Sequence, residues 1–226
     1  MHIGGLQKMT LLDFPGKLAC TVFLSGCNFR CPFCHNSSLL HGIEELSKES
    51  FFAFLKKRQG LLEGVAITGG EPLLQKNIHS FIQRIKELGF AVKLDTNGSF
   101  PDRLSKLLQS GLIDHVAMDI KNSPEKYPLT CGGMDALEQV RESAQLLMAS
   151  PVSYEFRTTV VAELHEAEDF HKIGTWLKGA QAYYLQCFED SGDILCPGLH
   201  PPTVSQLEHY RSIAGLYIQN THLRGI

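Results

Sequence analysis

The sequence predicts an α/β fold, an open partial (β/α)6 barrel in which parallel strands alternate with the helices that cover them. Apolar, β-branched runs recur along the chain, and several are unbroken, as in strands that are buried on both faces. A helical pattern follows most of these runs, which favours parallel strands joined by right-handed crossovers. Six such units are fewer than the eight of a closed barrel, so we expect an open sheet with functional residues at the carboxyl ends of its strands.

The predicted strands are six apolar runs. In chain order they are Leu18–Leu24, Gly64–Thr68, Ala91–Asp95, His115–Ile120, Ser153–Val161 and Ala182–Phe188. Polar or glycine-containing segments stand at the ends of the first four, namely Ser25–Cys27, Thr68–Glu71, Asp95–Gly98 and Asp119–Lys121. Because the carboxyl ends of parallel strands meet at one edge of a sheet, these segments are expected to form one site.

The predicted helices place apolar residues on one face. The first follows a Ser47 N-cap and carries Phe51, Phe52, Phe54 and Leu55. The second carries Ile78, Phe81, Ile82, Ile85 and Leu88 and stops at Gly89, and the third carries Leu104, Leu107 and Leu108 before Gly111. Three further helices are predicted over Ala136–Met148, Ala167–Leu177 and Val204–Ala214.

Length and charge limit the class of protein. The 226 residues suffice for one large domain, and no linker, repeat or low-complexity segment divides them, so we expect a single domain over residues 1–226. Lys and Arg number 21 against 24 Asp and Glu, and this net charge of −3 argues against a nucleic-acid or anionic-membrane partner. The longest apolar run is too short to span a bilayer and the N-terminus shows no export signal, which predicts a cytoplasmic protein.

Seven cysteines in such a chain indicate metal or redox chemistry rather than a disulfide framework. Cys27, Cys31 and Cys34 follow the spacing C-x3-C-x2-C in a loop after the first predicted strand. Three thiolates on one loop can hold three irons of a cubane iron–sulfur cluster and leave the fourth iron open, which is the interpretation that the spacing favours.

Other interpretations of the triplet stay open at this point. Zinc would use the three cysteines with His35, although adjacent residues rarely ligate one tetrahedral ion. Cys31–His35 also matches the C-x-x-C-H haem-attachment pattern, and its two cysteines could be a redox dithiol, but neither accounts for Cys27. Three buried structural cysteines within eight residues of a loop are the least favoured interpretation.

Several motifs resemble those of a known family. The triplet with Phe33 before its third cysteine resembles the signature of the radical S-adenosylmethionine (SAM) superfamily, and Ile67–Pro72 is similar to its Gly-Gly-Glu-Pro motif. A narrower resemblance, to the activases of glycyl-radical enzymes and above all of anaerobic ribonucleoside-triphosphate reductase, is carried by Asp13–Gly16, Cys34–Asn36, Leu94–Gly98 and Met118–Lys121. The resemblance covers essentially the whole chain.

The resemblance implies the cofactors and the residues that bind them. A [4Fe–4S] cluster would be held by Cys27, Cys31 and Cys34, and SAM would complete it at the open iron. The implied SAM contacts are Phe33, Cys34, His35, Gly69, Gly70, Glu71, Asp95, Asp119, Lys121 and Arg157. A monovalent cation is a further cofactor that the resemblance allows at Asp95 and Asp119. For Arg157 a structural salt bridge is the alternative.

The resemblance also implies a partner and an electron donor. The partner would be a glycyl-radical enzyme, most simply anaerobic ribonucleotide reductase, and the donor a flavodoxin or ferredoxin. Two alternatives compete: a radical SAM enzyme acting on a small molecule, similar to a deazapurine synthase, and a non-catalytic zinc or redox module. No late histidine matches the relatives' ribose contact. The other four cysteines are interpreted as core or surface thiols, and these are Cys20, Cys131, Cys187 and Cys196.

Overall fold

The computed structural model describes residues 1–41, 45–190 and 192–226. Its strands form one eight-stranded sheet in which spatial order follows chain order. The strands are β1 (Ile3–Thr10), β2 (Ala19–Leu24), β3 (Gly64–Gly69), β4 (Ala91–Thr96), β5 (His115–Asp119), β6 (Ser153–Val160), β7 (Tyr183–Cys187) and β8 (Thr221–Arg224). β1 pairs antiparallel with β2, and every later neighbour pairs in parallel. β1 and β8 are therefore the two edges of an open sheet.

Helices connect each parallel strand to the next. They are α1 (Lys48–Lys57), α2 (Ile78–Glu87), α3 (Pro101–Gln109), α4 (Tyr127–Thr130), α5 (Leu137–Met148), α6 (Ala167–Trp176) and α7 (Val204–Gly215). Strands β2 to β7, each followed by helical structure, make the six predicted units, and β8 extends the sheet after the last. This architecture confirms the α/β class and is consistent with the predicted partial barrel.

The six predicted strands agree with the structure to within one residue at each end. Short signals set the ends of the helices as well. The Ser47 hydroxyl accepts a hydrogen bond from the Ser50 N–H at the start of α1. Gly89 has a φ of +89°, and its N–H bonds to the Lys86 carbonyl just after α2, as a C-cap glycine does.

Two strands and one helix were not predicted. β1 contains two glycines and an exposed polar stretch, so it lacks the apolar pattern of a central strand. β8 has only four residues, and it is recognised as a strand by its pairing with β7 and not by its composition. α4 is a single turn that starts with Tyr127-Pro128. None of the helices in the described ranges has the length and apolar character needed to cross a bilayer.

Candidate cofactor site

A cavity of about 330 Å³ lies at the carboxyl ends of the strands, where the fold predicts it. All three cysteines of the triplet line it. Eleven of the twelve predicted metal and SAM residues line it in all, namely Cys27, Cys31, Phe33, Cys34, His35, Gly69, Gly70, Asp95, Asp119, Lys121 and Arg157. Glu71 is the one predicted contact that is absent from the described lining.

The three thiols of the triplet differ in their surroundings. Cys27 Sγ accepts hydrogen bonds from the Phe29 N–H at 3.4 Å and from Asn97 Nδ2 at 3.9 Å. Burial nevertheless raises the pKa of Cys27 to about 12, and burial also raises the pKa of Cys34. A hydrogen bond from the Cys131 thiol lowers the pKa of Cys31, although burial opposes it. The site therefore favours thiolate at Cys31, while positive charge from bound metal would be needed to favour it at Cys27.

Gly69 and Gly70 bring the end of β3 against the cysteine loop. A Cβ on Gly70 would lie 2.1 Å from the Gly26 carbonyl oxygen, and one on Gly69 would lie 2.4 Å from the Leu24 oxygen. Gly69 also has a φ of +116°, which glycine tolerates. From the sequence, these glycines are predicted to let a ligand approach the backbone closely. The structure shows a second reason for glycine at both positions, because the backbone that precedes Cys27 lies too close for a Cβ.

Glu71 holds two strand ends together. It is fully buried, and its carboxylate accepts hydrogen bonds from the Leu73 N–H at 2.9 Å, the Thr96 hydroxyl at 2.8 Å and the Asn97 N–H at 2.7 Å. Burial raises the pKa of Glu71 to about 7, although these hydrogen bonds oppose the rise. The carboxylate thus joins the turn after β3 to the end of β4. Its contact with SAM stays a prediction.

The charged residues of the site form one ion-pair network across three strands. Arg157 on β6 bonds Asp95 on β4 at 3.1 Å and Asp119 on β5 at 3.0 Å. Lys121 bonds the other Asp119 oxygen at 3.0 Å, and Lys93 pairs with Asp95. The salt bridge that was the alternative for Arg157 is therefore present. Arg157 also lines the cavity, and its contact with SAM stays a prediction.

We expect the Arg157→Gln variant to lose stability in a pH-dependent way. Burial alone would raise the pKa of Asp119, but Arg157 and Lys121 lower it to about 2, from an ordinary 3.8. A lowered carboxyl pKa contributes stability that is fully present above pH 3.8 and is lost as the pH falls through 2. The contribution is about 2 kcal/mol, part of it from Lys121.

Urea unfolding of the cluster-free protein measures this prediction. The free energy of unfolding should be lower in Arg157→Gln than in the unchanged chain near neutral pH, and the gap should narrow between pH 4 and 2 as Asp119 becomes protonated. The exposed pair of Arg141 and Glu138 supplies a control, because Arg141→Gln should change little at any pH. A gap that stays constant with pH would contradict the assignment.

Phe33 and His35 are the chain neighbours of Cys34. Lys121 Nζ lies 5.8 Å from the centre of the Phe33 ring, and the His35 ring packs 5.5 Å from Phe188. His35 Nε2 is buried and has no hydrogen-bond partner among the described residues. Burial and the nearby Lys121 both lower the pKa of His35, so a neutral imidazole faces this side of the cavity. A polar ligand in the cavity would supply the hydrogen bond that this buried nitrogen lacks.

The structure adds residues that sequence reasoning did not assign to the site. Asn97 follows β4 and bonds both Cys27 Sγ and, at 3.0 Å, the Asn28 side chain. Gln186 on β7 also lines the cavity. The sequence had suggested no residue in this late part of the chain as a ribose contact. Cys131, interpreted from sequence as a core or surface thiol, is tied to the cysteine loop by a hydrogen bond from the Arg30 N–H to the Cys131 carbonyl at 3.1 Å. Asn97 lies in the motif Leu94–Gly98, whereas nothing in the sequence relates Cys131 to the triplet.

The cysteines are not arranged as a single-ion site. Within residues 1–41, 45–190 and 192–226, no group of three His, Cys, Asp or Glu side chains is placed to hold one metal ion. All seven cysteines are free thiols. What the cavity offers is three thiols, a glycine backbone and an ion-pair network in one lining.

Two similar proteins are informative about this chain. A protein of Methanocaldococcus jannaschii, provisionally named a glycyl-radical enzyme activating enzyme, is 33% identical over 237 residues, which cover 99% of this chain and 96% of that protein. A 7-carboxy-7-deazaguanine synthase of Hyperthermus butylicus is 38% identical over 96 residues, which cover 39% of this chain and 38% of that enzyme. The first similarity spans the whole chain, whereas the second is local.

A solved structure shows the same fold. Streptococcus suis SuiB, crystallised with the precursor peptide SuiA, superposes with a TM-score of 0.70 at 13% identity, over 91% of this chain and 48% of SuiB. This chain therefore spans about half the length of SuiB. At this identity the likeness concerns the fold alone.

Residues 21–172 match the family model of the radical SAM superfamily. Enzymes of this superfamily use a [4Fe–4S] cluster and SAM. The cavity fits them, because three thiols, the backbone of Gly69 and Gly70 and a histidine, His35, whose buried nitrogen has no hydrogen-bond partner among the described residues line it. We therefore retain the cluster, rather than zinc, haem or a dithiol, as the interpretation of the triplet. The chain belongs to the radical SAM superfamily of enzymes.

Proposed function

We propose that this enzyme installs a glycyl radical on a partner protein, and that the partner is an anaerobic ribonucleoside-triphosphate reductase. The observation that carries the proposal is the similarity over the whole chain to a protein named as a glycyl-radical enzyme activating enzyme. The motifs Asp13–Gly16 and Met118–Lys121 support the narrower choice of partner by resemblance. The cytoplasm is the proposed location, since free thiols persist there, and a flavodoxin or ferredoxin is the proposed electron donor.

The cofactors supply the difficult chemistry. When bound, the reduced cluster and SAM supply the cleavage of a sulfonium–carbon bond to methionine and a 5′-deoxyadenosyl radical, which takes hydrogen from a glycine Cα of the partner. The chain's own part is to bind, to orient and to exclude water. Cys27, Cys31 and Cys34 are the proposed iron ligands, each held by the fold at the cavity wall.

The remaining site residues are proposed to orient SAM. The backbone of Gly69 and Gly70 would take its methionine end, and the backbone of Phe33 and His35 its adenine. The network of Asp95, Asp119, Lys121 and Arg157 presents both charge signs at one wall, which suits the charged methionine group and the ribose hydroxyls. A monovalent cation at Asp95 and Asp119 is part of the proposal.

The shape of the site suits a partner that enters from the side. A second cavity, of about 250 Å³, shares Asp13, Asp95, Arg157 and Gln186 with the first. Its lining continues to Leu12 after β1 and to other residues at the sheet edges, including Arg224 on β8. Leu12 and Arg224 thus place part of the second cavity beside both edge strands, and we propose that an extended peptide reaches the cysteines through the gap between those strands.

Exposed apolar side chains stand beside this gap. Met9, Leu11 and Leu12 are 64, 74 and 88% exposed, and Leu12 also lines the second cavity. Neighbouring exposed apolar residues of this size are typical of a surface that binds another protein. They support a protein substrate over a small metabolite, which would need an enclosed pocket.

Electron paramagnetic resonance (EPR) tests the proposal. The reconstituted enzyme, a reductant, SAM and purified anaerobic ribonucleotide reductase are incubated without oxygen, and a glycyl radical is expected on the reductase. With glycine deuterated at Cα in the reductase, deuterium is expected in 5′-deoxyadenosine. If deuterium instead came from a labelled small molecule, and no glycyl-radical enzyme acquired a radical, the activase proposal would be rejected. The small-molecule synthase that the local similarity suggests would then be the better assignment.

Matched surface variants test the route of entry. Leu12→Asp should reduce activation of the partner while leaving slow, partner-free cleavage of SAM unchanged. Leu216→Asp places the same charge on a residue that is 74% exposed at the end of α7, and it should not affect activation. Equal activation by both variants would remove Leu12 from the proposed entry route.

A further inference from the structure

Three polar side chains close a ring of hydrogen bonds beside the cysteine loop. Asn97 Nδ2 donates to Asn28 Oδ1 at 3.0 Å, Asn28 Nδ2 donates to Ser99 Oγ at 2.9 Å, and the Ser99 hydroxyl donates to Asn97 Oδ1 at 2.6 Å. Asn28 directly follows Cys27 in the cysteine loop, whereas Asn97 and Ser99 follow β4. Each of the three side chains both donates and accepts in the ring, so the ring ties the end of β4 to the residue next to a proposed cluster ligand.

A backbone donor fixes the direction of the Asn97 amide. An asparagine amide can in principle be turned by 180°, which exchanges its oxygen and its nitrogen. The Ser99 N–H can only donate, and it bonds Asn97 Oδ1 at 3.0 Å. The oxygen must therefore face Ser99, and the amino group must face the cysteine loop. The backbone N–H of Asn97 is held as well, because it donates to the buried Glu71 carboxylate at 2.7 Å.

The second hydrogen of this amino group is directed at a ligand sulfur. One Nδ2 hydrogen of Asn97 serves Asn28, and the same nitrogen also donates to Cys27 Sγ at 3.9 Å. A thiol is a weak acceptor. A metal-bound thiolate is a stronger one, because hydrogen bonds to ionised groups are shorter and about twice as strong as those between neutral groups. Both donors and both acceptor sites of the Asn97 side chain are thus used, and one of the donors is aimed at the cluster loop.

A donor at this place affects the cluster through its ligand. Hydrogen bonds to the sulfurs of an iron–sulfur cluster help to set its reduction potential. Reduction adds negative charge to the cluster and its thiolates, and a hydrogen-bond donor stabilises that charge more in the reduced form than in the oxidised form. The Asn97 amide is uncharged at any pH, so its effect does not depend on its own protonation.

We propose that Asn97 is a positioning residue that donates a hydrogen bond to the cluster ligand Cys27 and thereby raises the reduction potential of the cluster. The ring with Asn28 and Ser99 aims this donor. One electron enters the cluster from an external low-potential reductant, and the Asn97 N–H bond stays intact. The inference rests on the superfamily's cluster and not on the identity of the partner, and it holds whether or not the activase proposal does.

The midpoint potential of the reconstituted cluster, measured by EPR-monitored redox titration without SAM or partner, tests the inference. In Asn97→Ala the potential should fall, so that the ratio of reduced to oxidised cluster at a fixed applied potential drops about fivefold, as expected for one net hydrogen bond. Asn28→Ala opens the ring but leaves both hydrogen bonds from Ser99 to Asn97 Oδ1, so the amide keeps its direction and the ratio should drop less.

Asn220→Ala is the matched control. The Asn220 amide also donates a hydrogen bond, to the Gln181 carbonyl at 3.0 Å. The Asn220 carbonyl accepts from the N–H of Tyr183, the first residue of β7, so this asparagine lies at the end of the sheet opposite to the cavity. Its replacement should leave the potential unchanged.

Iron content and SAM binding complete the test. All variants should bind four irons, and SAM should alter the EPR spectrum of the reduced cluster in each of them. An unchanged potential in an iron-replete Asn97→Ala would overturn the inference. A drop in Asn28→Ala as large as that in Asn97→Ala would also overturn it, because the effect would then come from the shape of the loop and not from the donor. Should Asn97→Ala lose iron, Asn97→Asp decides: it keeps the size of the side chain but replaces the donor by an oxygen, and a potential equal to or above that of the unchanged protein refutes donation.

Discussion

Replacing Cys31 by alanine is expected to abolish cluster binding and, with it, the reductive cleavage of SAM. Two thiolates would remain on the loop, and a cubane cluster bound by two cysteines leaves a second iron without a protein ligand. Loss of a hydrogen bond to a metal ligand already costs about 10–100-fold in metal affinity or activity, so loss of the ligand itself should cost more than about 100-fold. Iron per chain after anaerobic reconstitution, and 5′-deoxyadenosine formed in the presence of a reductant, measure the two effects.

Cys196→Ala is the matched control for this experiment. The Cys196 side chain is exposed, and the residue's contact with the cysteine loop is a backbone hydrogen bond from its N–H to the Pro32 carbonyl at 3.0 Å, which alanine retains. Iron content and SAM cleavage should therefore be unchanged. A Cys31→Ala protein with four irons and normal cleavage would show that the triplet does not hold the cluster.

The central part of the fold could be predicted because burial shaped the sequence there. Strands β2 to β6 contain consecutive buried residues, so side chains of both faces are removed from solvent, and this favours the apolar runs from which most of them were predicted. In β7 buried and half-buried residues alternate. The edge strands have a different origin. β1 and β8 are held by pairing with one neighbour each, and neither carries a pattern that a reader of the sequence would distinguish from a loop.

The site was predictable to the extent that it is built from short contiguous motifs. The cysteine triplet and the Gly-Gly pair are each confined to a few consecutive positions of the sequence, and the structure brings both to one cavity. What depends on distant pairings was not predictable. Arg157 bonds Asp95 across 62 residues of sequence, and the hydrogen bond from the Arg30 N–H to the Cys131 carbonyl joins two segments that lie still further apart in the chain. No periodicity or spacing encodes such contacts.

Glu71 shows how one motif residue can have a role that its motif does not suggest. Resemblance assigns it to SAM, yet its carboxylate satisfies three donors from the ends of β3 and β4. The backbone N–H of Asn97 donates to Glu71 while the Asn97 side chain donates to Cys27 Sγ, so Asn97 connects the strand ends to the cluster loop. The Gly-Gly-Glu motif is therefore part of the support of the cysteine loop as well as a proposed SAM contact.

Gly70→Ala is expected to reduce both stability and cluster binding. If this glycine served only to admit SAM, a side chain there would weaken SAM binding and leave the cluster intact. A Cβ at this position, however, would lie 2.1 Å from the Gly26 oxygen and 2.7 Å from the Gly26 carbonyl carbon, both of them backbone atoms that cannot rotate away. Relief requires the backbone just before Cys27 to move. Overpacking of this kind costs about 1–3 kcal/mol, occasionally more.

Iron content and urea unfolding separate the two roles of Gly70. We expect Gly70→Ala to bind less iron and to lower the free energy of unfolding of the cluster-free chain by about 2–3 kcal/mol. Gly215→Ala is the control, because a Cβ on Gly215, in the last turn of α7, meets nothing within 4 Å and its backbone is not left-handed. It should be neutral or slightly stabilising, since alanine favours the helix. A Gly70→Ala protein that keeps its iron and its stability but binds SAM weakly would return this glycine to a ligand role alone. Loss of iron would instead show that the end of β3 helps to shape the loop on which the cysteines stand.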